Sequence, residues 1–108
     1  MNFSITLTDT FSNHLKQLAK KYPSIKEDFK KLLSELSANP LSGISLGKNC
    51  FKVRMNIASK KKGKSGGARV ITYLKIEDKK ITLLDIYDKA EKDTLSDKEL
   101  RALLKKVE

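Results

Sequence analysis

Strict alternation of side-chain character between positions 51 and 58 is the feature that most limits how this chain can fold. The apolar set is Phe51, Val53, Met55 and Ile57, and it alternates with Lys52, Arg54, Asn56 and Ala58. Because successive side chains of a β-strand point to opposite faces, the run predicts a strand with one apolar face and with Lys52 and Arg54 together on the other. A strand of this kind needs strand neighbours and a layer that covers its apolar side.

Other segments of the chain also have strand character. Residues 3–8 alternate in the same way, and Ala68 to Ile76 is rich in β-type residues that place Arg69, Ile71 and Tyr73 on one face. Lys80 to Tyr87 is apolar on both faces, which predicts a strand inside the sheet. Leu41 to Asn49 contains two glycines and two serines and is predicted to be a connecting loop.

Helical periodicity fills the rest of the chain. Two apolar stripes recur at helical spacing on either side of Pro23: Phe11, Leu15, Leu18 and Tyr22, then Ile25, Phe29, Leu32, Leu33 and Leu36. Ser24 with Glu27, and later Ser96 with Glu99, have the spacing of capping boxes that begin helices. The predicted order is β-α-α-β-β-β-α in one domain over residues 1–108. We therefore expect an α+β fold with an antiparallel-rich sheet, a helical hairpin packed on one face, and the other face open.

The charge of the chain is concentrated in its middle. No acidic residue lies between Glu35 and Glu77, whereas that interval holds Lys48, Lys52, Arg54, Lys60, Lys61, Lys62, Lys64, Arg69 and Lys75. The net charge is +10. Such clustering indicates a phosphate-bearing partner, with a membrane surface, an acidic protein or a merely soluble basic surface as alternatives.

Several classes of protein are disfavoured. Cys50 is the only cysteine and His14 the only histidine, so neither an internal disulfide nor a zinc site is expected, and no cofactor is implied. No apolar run approaches a membrane span, and the N-terminus lacks the pattern of a signal peptide. We expect a cytoplasmic protein. His14 has no partner nearby in the sequence and is predicted to be an ordinary surface histidine of a helix.

The catalysis that suits these residues is RNA cleavage by the substrate's own 2′-hydroxyl. Arg54 and Arg69 would stabilise the charged phosphate, and crowding by like charges would favour the neutral amine of Lys52 as a base. The candidate acids are Tyr73, Tyr87, Lys89 and Glu91. The loop lysines Lys60, Lys61, Lys62 and Lys64, together with Tyr73, are predicted to contact RNA. The loop glycines do not match a nucleotide-binding spacing, and the lack of clustered carboxylates argues against a two-metal nuclease.

Three segments together resemble the RelE/ParE superfamily of toxins from type II toxin–antitoxin systems, and most closely its HigB-like branch. They are Phe51 to Arg54, Lys62 to Tyr73 with its Gly-Lys-Ser-Gly-Gly-Ala-Arg loop, and Ile81 to Glu91. The resemblance implies a small α/β toxin that cleaves mRNA in the ribosomal A site without a metal, and whose partners are a cognate antitoxin, the 70S ribosome and mRNA. No membrane partner is implied.

The resemblance also suggests roles for individual residues. Lys52 and Arg54 match the basic pair of the first central strand, Arg69 matches the arginine that begins the next strand, and Lys89 matches the lysine after the last strand. Two positions depart from RelE: Ala90 replaces an arginine, and the C-terminal catalytic tyrosine falls near Ser96. Tyr87, Lys89 or Glu91 would then supply the acid. The alternatives are a ParE-like inhibitor of DNA gyrase and a catalytically decayed module that binds RNA or the ribosome.

Overall fold

The computed structural model describes residues 3–60, 67–92 and 94–107. The strands are β1 (Ser4–Leu7), β2 (Ile44–Gly47), β3 (Cys50–Asn56), β4 (Gly67–Lys75) and β5 (Lys80–Asp88). The helices are α1 (Asp9–Lys21), α2 (Ile25–Ala38) and α3 (Asp97–Lys105), and a 3₁₀ turn at Ile76–Asp78 joins β4 to β5. The predicted α+β class and the predicted order of helices and strands are confirmed, with one additional strand.

All five strands form one sheet in the order β1-β5-β4-β3-β2. The β2–β3, β3–β4 and β4–β5 pairs are antiparallel, while β1 runs parallel to β5. Strand β1 pairs only with the first half of β5, from Lys80 to Leu83. The second half of β5, from Leu84 to Asp88, therefore has β4 on one side and no strand on the other within the described residues.

The additional strand corrects the sequence prediction, because β2 lies inside the segment that was expected to be a loop. It returns into β3 through Lys48 and Asn49, whose φ angles of 55° and 62° are both positive. Two consecutive residues of this conformation form the tight turn that suits the twist of an antiparallel hairpin. The strand has only four residues and Ile44 is 61 % exposed, so it carries little of the apolar alternation that reveals a buried strand.

The hairpin of α1 and α2 covers one face of the sheet, as predicted. Its fully buried residues pack against the apolar sides of β3, β4 and β5, and they are Phe11, Leu18, Ile25, Leu32 and Leu36. Thr8 begins α1 by accepting a hydrogen bond from the backbone N–H of Phe11 at 3.0 Å. This layer holds most of the buried apolar side chains, so it fixes the sheet that carries the basic residues.

Only one of the two predicted capping boxes forms. At α3 the Ser96 hydroxyl accepts from the Glu99 N–H at 3.1 Å and the Glu99 carboxylate accepts from the Ser96 N–H at 2.9 Å. At α2 the prediction is wrong: Ser24 has helical angles (φ −83°, ψ −4°) and makes no side-chain cap. Its hydroxyl instead donates to the buried carboxylate of Asp28 at 2.6 Å, which also accepts the Ala58 N–H at 3.1 Å.

The opposite face of the sheet is partly covered by α3, which corrects the expectation that it would be open. Leu100 and Leu104 of α3 pack on a buried patch formed by Cys50, Ile71 and Leu84. The amphipathic pattern of α3 was visible in the sequence, but the face on which it packs depends on contacts between distant residues. The uncovered part of this face lies toward the end of β3 and the start of β4, where the basic residues are.

Candidate nucleic-acid interface

Two arginines and a tyrosine form a row across the three inner strands of the sheet. Arg54 of β3 is directly opposite Arg69 of β4, and Arg69 is directly opposite Tyr87 of β5. We call these three residues the arginine row. Directly opposed side chains on neighbouring antiparallel strands have Cβ atoms about 4.5–5.5 Å apart, so the two guanidinium groups can act on one ligand group. The row lies on the predicted face, but the exact opposition was not predicted.

The two arginines differ from the acidic residues of the sheet in their ion pairing. Within the described parts of the chain neither guanidinium forms an ion pair, and the buried Nε of Arg69 has no hydrogen-bond partner. Like charges placed directly opposite each other destabilise a sheet, and a buried donor without a partner adds a further cost. An anion bound between the arginines would relieve both.

A glycine lets the side chain of Arg54 lie close to β4. A Cβ added at Gly67, which pairs with Asn56, would come within 3.3 Å of Arg54 Nε and 3.1 Å of the Met55 carbonyl oxygen. Both distances are tighter than ordinary van der Waals contact, so a larger residue would displace Arg54 or the backbone. The second glycine of the Gly-Gly pair in the sequence motif therefore helps position the arginine row.

Two other basic residues that the sequence singled out lie beside the row. Lys52 is on the same face of β3 as Arg54, half-buried and opposite Ile71, where the cover of α3 begins. Lys89 follows β5, and its N–H donates to the Gly67 carbonyl at 3.1 Å, which holds the turn after β5 against the start of β4. The sequence-predicted residues Lys52, Arg54, Arg69, Tyr87 and Lys89 thus occupy one region of the sheet.

Tyr73 and Glu91 are not in this region. Tyr73 is opposite Cys50, at the far end of β4 from Arg69, and packs half-buried against the α3 cluster. Glu91 lies beyond the end of β5 and forms an ion pair with Lys21 of α1, with 3.6 Å between Oε1 and Nζ. The contacts of Tyr73 are those of an aromatic at the edge of the core.

Lys60 points toward the interior on the helical-hairpin side of the molecule. Its Nζ lies 2.6 Å from Asp88 Oδ1, and its side chain is only 12 % exposed. Asp88 also accepts the Tyr22 hydroxyl at 2.8 Å and the Ala90 N–H at 2.9 Å. We call Asp88, Lys60 and Tyr22 the Asp88 cluster. RNA contact by Lys60 requires a solvent-facing side chain, and the side chain of Lys60 is instead directed inward. The other predicted loop lysines, Lys61, Lys62 and Lys64, lie outside the described residues.

The carboxylate of Asp88 is held in its ionised form. Burial alone would raise the pKa of Asp88, but the hydrogen bonds from Lys60, the Ala90 N–H and Tyr22, with the Lys60 charge, outweigh it and bring the pKa below its ordinary value. Lys60 is therefore neutralised by an internal partner, whereas no acidic side chain of the described ranges pairs with Arg54 or Arg69.

A pair that sequence reasoning missed lies at the open edge of β5. His14 of α1 places Nδ1 2.6 Å from Asp85 Oδ1, and the same oxygen accepts the Ile86 N–H at 2.8 Å. The partners are 71 residues apart in the sequence, so no local pattern could reveal them. His14 also borders a cavity of about 300 Å³ between α1 and β5, lined by His14, Gln17, Leu18, Lys21, Ile86, Tyr87, Asp88 and Glu91.

Two negative findings apply to the described residues only. No group of three or more His, Cys, Asp or Glu side chains there is arranged to hold a metal ion. None of the helices in residues 3–60, 67–92 and 94–107 is long and apolar enough to cross a membrane.

Comparison with known proteins gives a match at the level of the fold. No family model matches the sequence. A double mutant of the E. coli toxin RelE in the free state superposes with a TM-score of 0.63 at 15 % identity, over 100 % of both chains. A chain of the intact E. coli RelBE toxin–antitoxin complex gives 0.59 at 17 % identity, covering 78 % of this chain and 93 % of its own.

A third match comes from another organism. A chain of the Mycobacterium tuberculosis RelBE2 toxin–antitoxin complex gives a TM-score of 0.58 at 15 % identity, covering 82 % of this chain and 99 % of its own. The chain therefore has the RelE fold, as the sequence resemblance implied. Identities this low do not distinguish a HigB-like branch from others.

Proposed function

We propose that this chain is the toxin of a type II toxin–antitoxin system, and that it inhibits translation by cutting mRNA on the ribosome. The observation that carries the proposal is the arginine row, in which two opposed guanidinium groups form no ion pair within residues 3–60, 67–92 and 94–107. The shared RelE fold supports it, because the proteins that share this fold include the free toxin RelE and chains of two toxin–antitoxin complexes.

The arginine row is suited to a phosphodiester of RNA. A guanidinium group donates two parallel N–H bonds to phosphate oxygens, and two opposed groups can hold a phosphate from both sides. When the 2′-oxygen attacks phosphorus, negative charge builds on the non-bridging oxygens, and fixed cations there lower the barrier. The Nε–H of Arg69 would gain a partner, which no described residue supplies.

The remaining roles concern the movement of protons. In the proposed reaction the 2′-hydroxyl gives its proton to a base, the new oxygen–phosphorus bond forms as the bond to the 5′-oxygen breaks, and an acid protonates that leaving oxygen. Lys52, on the same face as Arg54, is the proposed base. Tyr87 and Lys89 are the proposed acids, since Tyr87 faces Arg69 and Lys89 is held beside the start of β4. A metal ion has no role in this scheme.

Ser96, near which the catalytic tyrosine of RelE falls, is not among the proposed acids. Its hydroxyl already accepts the Glu99 N–H at the start of α3, and its own N–H is bonded to the Glu99 side chain. A position committed to a helix cap favours Tyr87 or Lys89 over Ser96. Because the position of the family's acid is occupied by a helix-capping serine, a second candidate function is a module that binds RNA or the ribosome without cleavage. The experiment distinguishes the two.

The experiment adds purified protein to a translation extract and maps the 5′ ends of the mRNA. We expect cuts that depend on ribosomes, and we expect Arg69→Ala to lower the rate about 10²- to 10³-fold, as removal of one charge-stabilising donor does elsewhere. Arg101→Ala is the matched control, because Arg101 pairs with Asp97 on the exposed side of α3.

Three results would contradict the proposal in different ways. If Arg69→Ala cleaves mRNA as fast as the unchanged protein, the arginine row does not stabilise the reacting phosphate. Ribosome binding with intact mRNA leaves only the binding module. Inhibition of DNA supercoiling with intact mRNA would favour a gyrase inhibitor.

A further inference from the structure

The cavity between α1 and β5 is open to solvent and lies next to the arginine row. It exists because β1 stops pairing at Leu83, so α1 rather than a strand lies along the edge from Leu84 to Asp88. Its volume of about 300 Å³ is at the lower end of small-ligand sites, which suits one planar ring system rather than an extended ligand. Tyr87 belongs both to the arginine row and to the lining of this cavity, so the two sites are contiguous.

A lysine and a glutamate stand side by side in the cavity lining. Lys21 Nζ and Glu91 Oε1 are 3.6 Å apart, which is longer than a hydrogen bond, and the side chains are 57 % and 67 % exposed. An ammonium group carries three donors and a carboxylate two acceptor oxygens, so each retains capacity for a ligand. The lining thus presents a cationic donor next to a two-oxygen anionic acceptor.

This donor–acceptor order matches the Watson–Crick edge of guanine. Guanine presents the O6 acceptor next to two donors, N1–H and the exocyclic N2 amino group. A carboxylate can accept both donors in parallel while the neighbouring ammonium donates to O6. Adenine and cytosine each offer one amino group to the carboxylate. Uracil flanks its only donor with two carbonyl oxygens, which repel a carboxylate.

The wall of the cavity is fixed in position. His14 is held through Nδ1 by Asp85, whose carboxylate is itself anchored by the Ile86 N–H. Asp88, which also lines the cavity, is held by Lys60 and Tyr22. A rigid wall keeps the width of the opening constant, and that allows bases to be discriminated by hydrogen bonding.

We propose that this cavity recognises a guanine base of single-stranded RNA through Lys21 and Glu91. The inference rests on the proposed function insofar as RNA is the ligand, and it assigns to that function a base preference and two specificity-determining residues. Glu91 then reads a base instead of transferring a proton.

The test measures RNA binding without ribosomes. The probes are short oligouridylates that differ only in carrying one guanine, inosine, adenine or no substitution, and binding is followed by fluorescence anisotropy. We expect the guanine probe to bind about tenfold tighter than the all-uridine probe, as a good bidentate base contact provides, with inosine in between because it lacks the N2 amino group. The ring signals of His14, the only histidine, should shift in NMR spectra when guanosine monophosphate is added.

Glu91→Gln is the decisive variant. An amide offers one acceptor oxygen in place of two, so we expect the preference for guanine to fall to about twofold or less. The all-uridine probe should bind at least as tightly as before, because the carboxylate that repels uracil is gone. Glu27→Gln is the matched control, because Glu27 pairs with Lys30 on α2 at 3.5 Å with similar exposure but away from the cavity. Both variants change exposed side chains, and thermal unfolding should confirm that both stay folded.

Equal affinity for the guanine and uridine probes in the unchanged protein would overturn the proposal. So would an undiminished preference in Glu91→Gln, or an equal loss in Glu27→Gln. The proposed mRNA cleavage fails or succeeds separately in the translation extract. A guanine preference in a protein that does not cut would support the pocket and overturn the nuclease, and cutting without any guanine preference would do the reverse.

Discussion

The arginine row and the Asp88 cluster lie at the same end of the sheet, and each contains one of two adjacent residues of β5. They differ in whether the basic side chain is paired with an acidic one. Tyr87 faces Arg69 on one side, while Asp88 binds Lys60 on the other. In the cluster, the cation, the carboxylate and the Tyr22 hydroxyl satisfy one another. In the row, two cations face each other without a counter-charge within the described residues. Local basic composition therefore does not separate a cation that is paired inside the protein, such as Lys60, from the two arginines that we propose to bind RNA.

The largest expected effect is on folding stability, from Asp88→Asn. The change removes the carboxylate that lies 2.6 Å from the buried Lys60 Nζ, and removing one partner of a buried pair costs about 3–5 kcal/mol. The free energy of unfolding from urea titrations measures it. Asp78→Asn is the control, since Asp78 pairs with Lys75 at the surface and such pairs contribute about 0–1 kcal/mol.

The double variant Asp88→Asn with Lys60→Met sharpens the same result. It removes both charges, so we expect it to recover a substantial part of the lost stability. If it is no more stable than Asp88→Asn alone, the broken charge pair of Lys60 with Asp88 is not the reason for the loss.

The next effect is from Tyr22→Phe, which removes a hydroxyl that donates to Asp88 at 2.8 Å. Hydrogen bonds to charged groups contribute about 1.5–3 kcal/mol, so we expect a loss of unfolding free energy in that range. Tyr73→Phe makes the same chemical change in a half-buried tyrosine at the edge of the α3 cluster and should cost less. Equal losses would mean that Asp88 does not depend on the hydroxyl.

Arg54→Ala should affect RNA binding and leave stability almost unchanged. If Arg54 contacts a phosphate, the slope of log affinity against log salt for single-stranded RNA should fall by about 0.7. Lys60→Met should show the inverse pattern, with lower stability and an unchanged slope, because Lys60 is neutralised by Asp88. A reduced slope in Lys60→Met would erase the difference between the two regions.

The smallest effect is on the pH dependence of stability. The pKa of Asp88 in the folded protein lies below the ordinary value of 3.8, so its contribution is present above that pH and is lost as the pH falls through the folded pKa. Acid should therefore destabilise the protein below about pH 4, and Asp88→Asn should flatten the profile there. Lys92 lowers the pKa of the exposed Glu99 to about 2, so a residual slope should persist at the acid end.

The sequence predicted well what depends on neighbours along the chain. Alternation placed Lys52 and Arg54 on one face of a strand, and Ser96 with Glu99 predicted the start of α3. Periodicity gave the two helices of the hairpin, and the resemblance to the toxin superfamily gave the fold. Each of these follows from side chains within a few positions of one another.

What the sequence missed depends on pairing between distant segments. Ser24 has the spacing of a capping box, but its hydroxyl donates to the buried carboxylate of Asp28. Lys60 belongs to a basic run, but its ammonium forms an ion pair with Asp88. The contact of His14 with Asp85 and the packing side of α3 are likewise fixed only when the sheet has formed. Strand β2 was not predicted because it is short and exposed, although its turn at Lys48 and Asn49 contains asparagine, a residue type that is common in tight turns.

The parallel pairing of β1 with β5 has a consequence for how the chain is made. Ser4 to Leu7 find their partners in Lys80 to Leu83, 76 residues later, so the first strand cannot join the sheet until nearly all of the protein has been synthesised. Contacts this distant in sequence slow folding, because a long loop must close before they form. The nascent chain emerges with β1 and the helical hairpin first, so β1 has no strand to pair with until β5 has been made.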